Sequence, residues 1–319
     1  MSEIIAESEG VRDQAGEQDF RDHSERRRRA RRATFTRLFT PKFIIGAGIV
    51  VIIVLFGLIV PFFSQDPHAI SNIGLSGPSP QHLLGTTQVG QDVLAQLAYA
   101  TRGSLIVGVS VGALTLVLSA FFGILGAYIG GAADEGFSLI TNVLLVIPGL
   151  PLIIVIASYI KNSSILLVII VLALTGWAGG ARVLRSQTLS VRNRDYVLAA
   201  RVSGEKTWRI ITVEILPNLL PVMSSGFVFA IVGAILAEAG LSFIGIGASD
   251  SLTWGTMLAD AGNGQALLFR AWWWFAPPGL LIAILGAGFS LINFSIDEII
   301  NPRIRTVNVA KLEKKVKAA

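Results

Sequence analysis

In a chain of 319 residues, 52% are hydrophobic and only 15% charged, with a mean hydropathy of +0.65, which is far from the roughly 25% charged residues of an ordinary soluble domain. The absence of cysteine excludes a disulfide framework and any thiolate metal site, and three scattered histidines, His23, His68 and His82, build no metal centre unaided. The formal net charge of +5 resides mainly between the apolar runs, a distribution that belongs to loops flanking membrane spans.

Residues 1–40 lack the short apolar core and small-residue cleavage site of a secretory signal and read as a basic, partly disordered cytoplasmic tail. The run SERRRRARRATFTR, residues 24–37, has the composition of a nucleic-acid arm, but just ahead of a span it holds the N-terminus inside and touches anionic headgroups. Membrane lipid, and no nucleic acid, is the expected partner there.

Six apolar segments follow, at about 43–63, 104–130, 138–159, 164–181, 218–246 and 278–298, near the roughly 20 residues needed to cross a bilayer. Hydrocarbon offers no partners to backbone amides, so such runs are helices. Counted by charge, segments 1–42, 131–137, 182–217 and 303–319 hold 23 of the 26 Lys and Arg, and only Arg102, Lys161 and Arg270 lie elsewhere. The expectation is an all-α integral membrane protein with six transmembrane helices, both termini cytoplasmic and a cytoplasmic loop at 182–217. Its organisation reads as a tail at 1–40, a first span with an extracytoplasmic loop at 41–103, a core of five spans at 104–302 and a basic tail at 303–319.

Within the outer loop, SNIGLSGPSPQ gives way to QVGQDVLAQLAYATRGS, residues 88–104, which reads as an amphipathic helix lying on the outer surface. GILGAYIGG (123–131) and TGWAGGA (175–181) permit close helix approach. Pro148 and Pro151 bend the third span or line a path through it. Trp272, Trp273 and Trp274 belong at headgroup level before the sixth span, with Pro277 and Pro278 at its start.

The loop DYVLAARVSGEKTWRIITVEILPN, residues 195–218, carries three basic and three acidic side chains between apolar runs. It reads as two short helices: Ala199 and Ala200 leave one face bare, Gly204 ends the first helix in the left-handed conformation, and Trp208, Ile211 and Ile215 share a side of the second. Pro217 and Pro221 mark the start of the fifth span. Such a hairpin either packs on the protein's own end or enters a groove on another protein, and the residues alone leave both open. No G-x-x-x-x-G-K-[ST] loop is present, since Lys206-Thr207 follows Glu205, so the chain is read as no enzyme, with no cofactor, catalytic residue or metal. An ion-coupled secondary transporter would place ionisable residues mid-membrane, where this chain has almost none. Glu238 falls near the outer boundary, bonding the helix end or acting in gating; Asp297 and Glu298 lie at the inner end of the sixth span.

The skeleton Ala199, Ala200, Gly204, Ile215, Leu216 and Pro217 resembles the EAA loop of binding-protein-dependent ABC importer permeases, with Leu198 where the motif has Glu. HLLGTTQVGQDVLAQL (82–97), AEAGLSFIGIG (237–247) and TWGTML (253–258) are similar to segments of the dipeptide/oligopeptide-type permeases, and IDEIINPRIR (296–305) resembles their ending, with Asn301 in place of Asp. The resemblance implies a heterodimer with a second homologous permease subunit, two ATP-binding subunits and an extracytoplasmic solute-binding protein. It implies ATPase coupling through Ala199, Ala200, Arg201, Gly204, Trp208, Ile215, Leu216 and Pro217, with Pro148, Pro151 and Glu238 as pathway or gating residues. Peptides are the implied cargo; oligosaccharides such as β-glucosides are the alternative that FSIDEIINPR and ASYIKNSS raise, followed by nickel, and a membrane-anchored scaffold is the non-transport reading.

Overall fold

The computed structural model describes residues 40–158, 164–248 and 250–300; the run 24–37, Lys161 and the tail 303–319 lie outside the described residues. Helix α1 (Pro41–Ile59) starts at Thr40, whose Oγ1 accepts the Phe43 N–H at 3.2 Å, with proline in the first turn where a missing N–H costs little. Helix α2 (Val93–Ile129) starts at Asp92, which accepts the Ala95 N–H at 2.8 Å. It runs through one π-turn at Phe121–Leu125 and stops where Gly130 and Gly131 take φ of 75° and 56°. Helices α3 (Gly131–Val146), α4 (Gly149–Ser158), α5 (Ile165–Val191), α6 (Asp195–Val202), α7 (Thr207–Phe243), α8 (Trp254–Asn263) and α9 (Trp272–Ile300) complete the order.

Five helices, α1, α2, α5, α7 and α9, are long and apolar enough to cross a membrane, or six spans if α3 and α4 count as one. The protein is therefore multi-pass. The expected bend in the third span is a break: α3 and α4 meet at 86°. Ile147 takes ψ 125° because the ring of Pro148 excludes the helical region for the residue before it, and α4 restarts with the Leu152 N–H bonded to Pro148 O at 3.1 Å. Pro151 sits in the first turn of α4.

Other boundaries also move. The supposed surface helix at 88–104 is the beginning of α2, since its polar groups find partners inside the protein: the Gln96 amide donates to Gln91 Oε1 at 2.8 Å and Thr101 Oγ1 to Leu97 O at 2.7 Å. The second loop helix is likewise the first turns of α7, which continues unbroken into the fifth span. Its π-turn at Ile210–Ile215 loosens the coil just ahead of Pro217, which has no N–H to donate. Helix α5 extends past residue 181 to Val191, and α9 begins at Trp272, so the three tryptophans form its first turn and Pro277 and Pro278 lie inside it.

Helix α2 is the central rod, packed on α5 and α7, while α1 pairs with α9 and α8 packs on α7, α9 and α2. The α1–α9 pair is antiparallel: Lys42 is ion-paired with Glu298, and Thr40 Oγ1 donates to Ser295 Oγ at 2.9 Å. Helices α7 and α9 are antiparallel too, Ser225 bonding Asn293. Both described chain ends therefore emerge at the same end of the bundle as the 195–217 loop, opposite α8. Contacts run through small residues: a Cβ at Gly46 would stand 2.6 Å from Gly288 O, and one at Gly123 would stand 2.5 Å from Ala181 O.

Gly46→Ala and Gly48→Ala gain the same helix propensity, but a Cβ at Gly48 meets nothing within 4 Å. Gly46→Ala is expected to lower unfolding stability by about 1–3 kcal/mol through overpacking, with Gly48→Ala neutral or stabilising. Thermal unfolding of the purified chain in detergent checks the contrast.

Candidate functional site

The hairpin at residues 195–217 has one face inside and one outside. Val197 of α6 is fully buried and joins Ile124 and Tyr128 of α2, Leu184 of α5, and Ile210, Ile211 and Ile215 of α7 in one cluster. Arg201 lies over the Tyr128 ring at 4.8 Å and its Nε donates to the Tyr128 hydroxyl at 3.4 Å. Gly204 has φ 75°, the Glu205 N–H bonds Ala200 O at 3.1 Å and the Gly204 N–H bonds Arg201 O at 3.0 Å, the pattern of a Schellman stop. Glu205 and Arg209 pair one turn apart.

The other face presents apolar groups that no described residue covers. Val202 is 90% exposed, Trp208 75% and Leu198 43%, and Tyr196 and Ala199 are exposed beside them. Trp208 thus departs from the side it was expected to share with Ile211 and Ile215: it stands exposed in the first turn of α7, ahead of the buried Ile210 and Ile211. Ile215 is buried, Leu216 half-buried and Pro217 exposed. Sequence reading missed Val197 and Ile210 as the anchors; the alternation of apolar and charged positions around them was the available signal. A hollow of about 140 Å³ opens beside Ala200, between Glu205, Arg209 and Glu214.

A cleft runs along α2, α5 and α7. One cavity of about 440 Å³ is walled by Ser119, Gly179, Gly180 and Phe229; a second of about 320 Å³ is walled by Gly149, Leu150 and Ile153 of α4; Thr115, Gly176 and Ala230 line both. Pro148 and Pro151 are exposed and line neither, but the break they frame delivers Gly149 and Leu150 to the wall.

Glu238 lies outside the cleft. It is 1% exposed, and its Oε1 accepts from Ser242 Oγ and Thr253 Oγ1, each at 2.7 Å. Thr253 also caps α8, the Trp254 N–H donates to Ser104 Oγ at 2.9 Å, and the Trp254 indole N–H donates to Thr101 Oγ1 at 3.1 Å. These bonds lock α2, α7 and α8 together at the end of the bundle opposite the hairpin.

Among the described residues, neither region assembles a nucleophile with a base; the arrangement offers an exposed apolar face, rods and a small-residue cleft. The family described as binding-protein-dependent transport system inner membrane component matches residues 116–306. Similar proteins include the oligopeptide transport system permease protein OppC of Bacillus subtilis, 30% identical over 82% of this chain and 85% of that one. The dipeptide transport system permease protein DppC of the same organism is 31% identical over 81% and 82%. The probable D,D-dipeptide transport system permease protein DdpC of Escherichia coli is 32% identical over 83% and 88%. Among solved structures, an inward-facing form of the MetNI methionine ABC transporter has a chain similar in fold, with TM-score 0.52 and 20% identity over 66% of this chain and 97% of that one. The match of the family model over more than half of the chain and this agreement with relatives along most of the sequence place the chain in the binding-protein-dependent ABC importer family, as a transport permease subunit.

Proposed function

We propose that the chain forms half of the membrane pathway of a peptide importer and that residues 195–217 are the element through which ATP-binding subunits drive it. The observation that carries the reading is the division of the hairpin: one face is rooted among α2, α5 and α7, and the other exposes Val202 and Trp208 to a partner. A solvated loop gains nothing from such groups, whereas a partner's groove covers them. The position of both described chain ends beside the hairpin supports six spans, α3–α4 counted as one, with hairpin and termini in the cytoplasm. The core at 104–302, the lead-in at 41–103 and the basic tails at 1–40 and 303–319 fit that arrangement.

In this reading, closure of the ATP-binding subunits moves α6. Force passes through the cluster around Val197 into the three rods that wall the cleft, and a bias of a few kcal/mol shifts an inward/outward equilibrium. A homologous permease supplies the other half of the path, and a solute-binding protein delivers cargo at the α8 end. Where the EAA motif has Glu, the exposed Leu198 makes docking at that position apolar. Relatives named for oligopeptides, dipeptides and D,D-dipeptides favour peptide over oligosaccharide or nickel as cargo. Membership of an ATP-driven family sets aside ion coupling and the scaffold reading.

Gly204→Leu forces a branched side chain into φ 75° and is expected to abolish ATP-dependent peptide uptake by the reconstituted importer and its stimulation of ATP hydrolysis, with membrane insertion intact. Normal uptake in that variant defeats the reading. Val202→Glu and Trp208→Ala are expected to weaken capture of the ATP-binding subunits by about tenfold or more, as loss of an interface anchor does, without changing the thermal stability of the permease alone. Co-purification against subunit concentration measures the first effect and detergent melting the second.

A further inference from the structure

The lower turns of α5 carry two sets of contacts on different faces. Leu184 and Val191 pack into the hairpin cluster with Val197 and Ile211. On another face, the Arg185 Nε and Nη2 donate to the two carboxylate oxygens of Asp134 at 2.6 and 2.8 Å, and the Arg182 Nη2 donates to Asn142 Oδ1 at 2.8 Å. Asp134 and Asn142 both belong to α3, so two arginines of α5 grip that helix at points two turns apart. Arg192 adds a bond to Ala127 O at the end of α2, just before the turn into α3.

Apolar packing holds α3 at two points: Phe137 meets the Phe121 and Phe122 rings of α2 at 5.8 and 5.0 Å, and Leu144 packs against the cluster of Trp177 and Ala178. Thr141 is the one residue of α3 that is buried among the described residues, and Leu139, Val143 and Val146 of the same helix are exposed. Among the described side chains of α4 beyond the break, Ile153 alone is deeply buried. With so few apolar anchors the polar grip adds to the placement of α3, and a forked guanidinium on a carboxylate fixes direction as well as distance. The far end of the same segment, Gly149, Leu150 and Ile153, walls the cleft.

We propose that Arg185 and Asp134 are positioning residues that link the hairpin to the broken span: α5, moved by the hairpin, draws α3 with it, and the break at Ile147–Pro148 turns that motion into displacement of the α4 wall. This rests on the coupling role of residues 195–217. It adds that the α3–α4 wall, and not only the three long rods, is driven.

The test uses the whole importer in proteoliposomes with Asp134→Asn, Arg185→Lys and the exchange Asp134→Arg/Arg185→Asp, reading peptide uptake, ATP hydrolysis, subunit capture and melting together. Loss of a bidentate charged pair is expected to reduce uptake about tenfold in each single variant. Hydrolysis and subunit capture stay at the level of the unaltered importer, so more ATP is consumed per peptide, and the exchange recovers much of the loss. Because the chain has no cysteine, spin labels at Leu150→Cys and Leu236→Cys report the wall directly; a nucleotide-dependent distance change is expected in the otherwise unaltered chain and lost in Asp134→Asn. Unchanged uptake and unchanged ATP per peptide overturn the link. So does a parallel fall of uptake, hydrolysis and melting temperature, which marks a structural pair only. If the unaltered importer shows no nucleotide-dependent uptake, the coupling reading falls and this inference with it.

Discussion

Close approach of helices at small residues is the constraint on which this structure depends. Lipid tails are as apolar as leucine, so burying leucine between two helices gains little over leaving it in the bilayer, and association rests on fit and hydrogen bonds. Helix α2 accordingly offers Gly108 and Gly112 to Ile231 and Ile235 of α7, and Gly123 to the backbone of α5, at distances that no Cβ could share. Ser119 on the same helix faces Gly180 and donates to Trp177 O at 2.8 Å. The three rods of the cleft are thus held by shape along their length, and the contact pair Ser119 and Gly180 also lines the cleft.

Rigidity is unevenly distributed. At the α8 end, Glu238, Thr253 and Trp254 tie three helices through buried hydrogen bonds, which in a low-dielectric setting are strong when satisfied. At the hairpin end an apolar cluster around Val197 and Ile215 is joined by arginine ties, Arg201 to Tyr128 and Arg192 to Ala127 O. Between them runs α7, 37 residues and about 55 Å long, interrupted only by its π-turn and Pro221. A displacement at the hairpin therefore travels as motion of a whole rod. The α3–α4 pair, poorly buried and broken at Pro148, belongs to neither block.

Most of the helical content was legible because hydrocarbon reduces the choices: an apolar run near membrane length is a helix whatever its neighbours. The Gly204 stop was legible for a similar reason, a single glycine between a helix and charged residues having one common use. Boundaries were not legible where tertiary partners replaced solvent. Residues 88–104 looked amphipathic, but Gln96 and Thr101 are satisfied inside the fold, so the helix that starts at Val93 crosses a boundary that polarity alone would draw. The break at Pro148 was readable as a bend, yet its 86° angle depends on α5 taking both halves, which no local pattern encodes. Trp208 was misplaced because it stands in the first turn of α7, and which side of a helix end is covered depends on tertiary packing that leaves no mark in composition.

The same reasoning explains why cargo is the least legible property. Thr115, Gly176 and Ala230 sit where the two cavities of the cleft join, and they offer one hydroxyl and little side-chain volume. Such a wall excludes by width and carries no arrangement of charges that would recognise a peptide's ends. In the importer proposed above, a separate binding protein would make the selection before solute reaches the membrane, and the rods would be free to be shaped by packing alone. A chain under that division of labour keeps its specific chemistry at the two ends, in the Glu238 knot and the hairpin, and its middle stays plain.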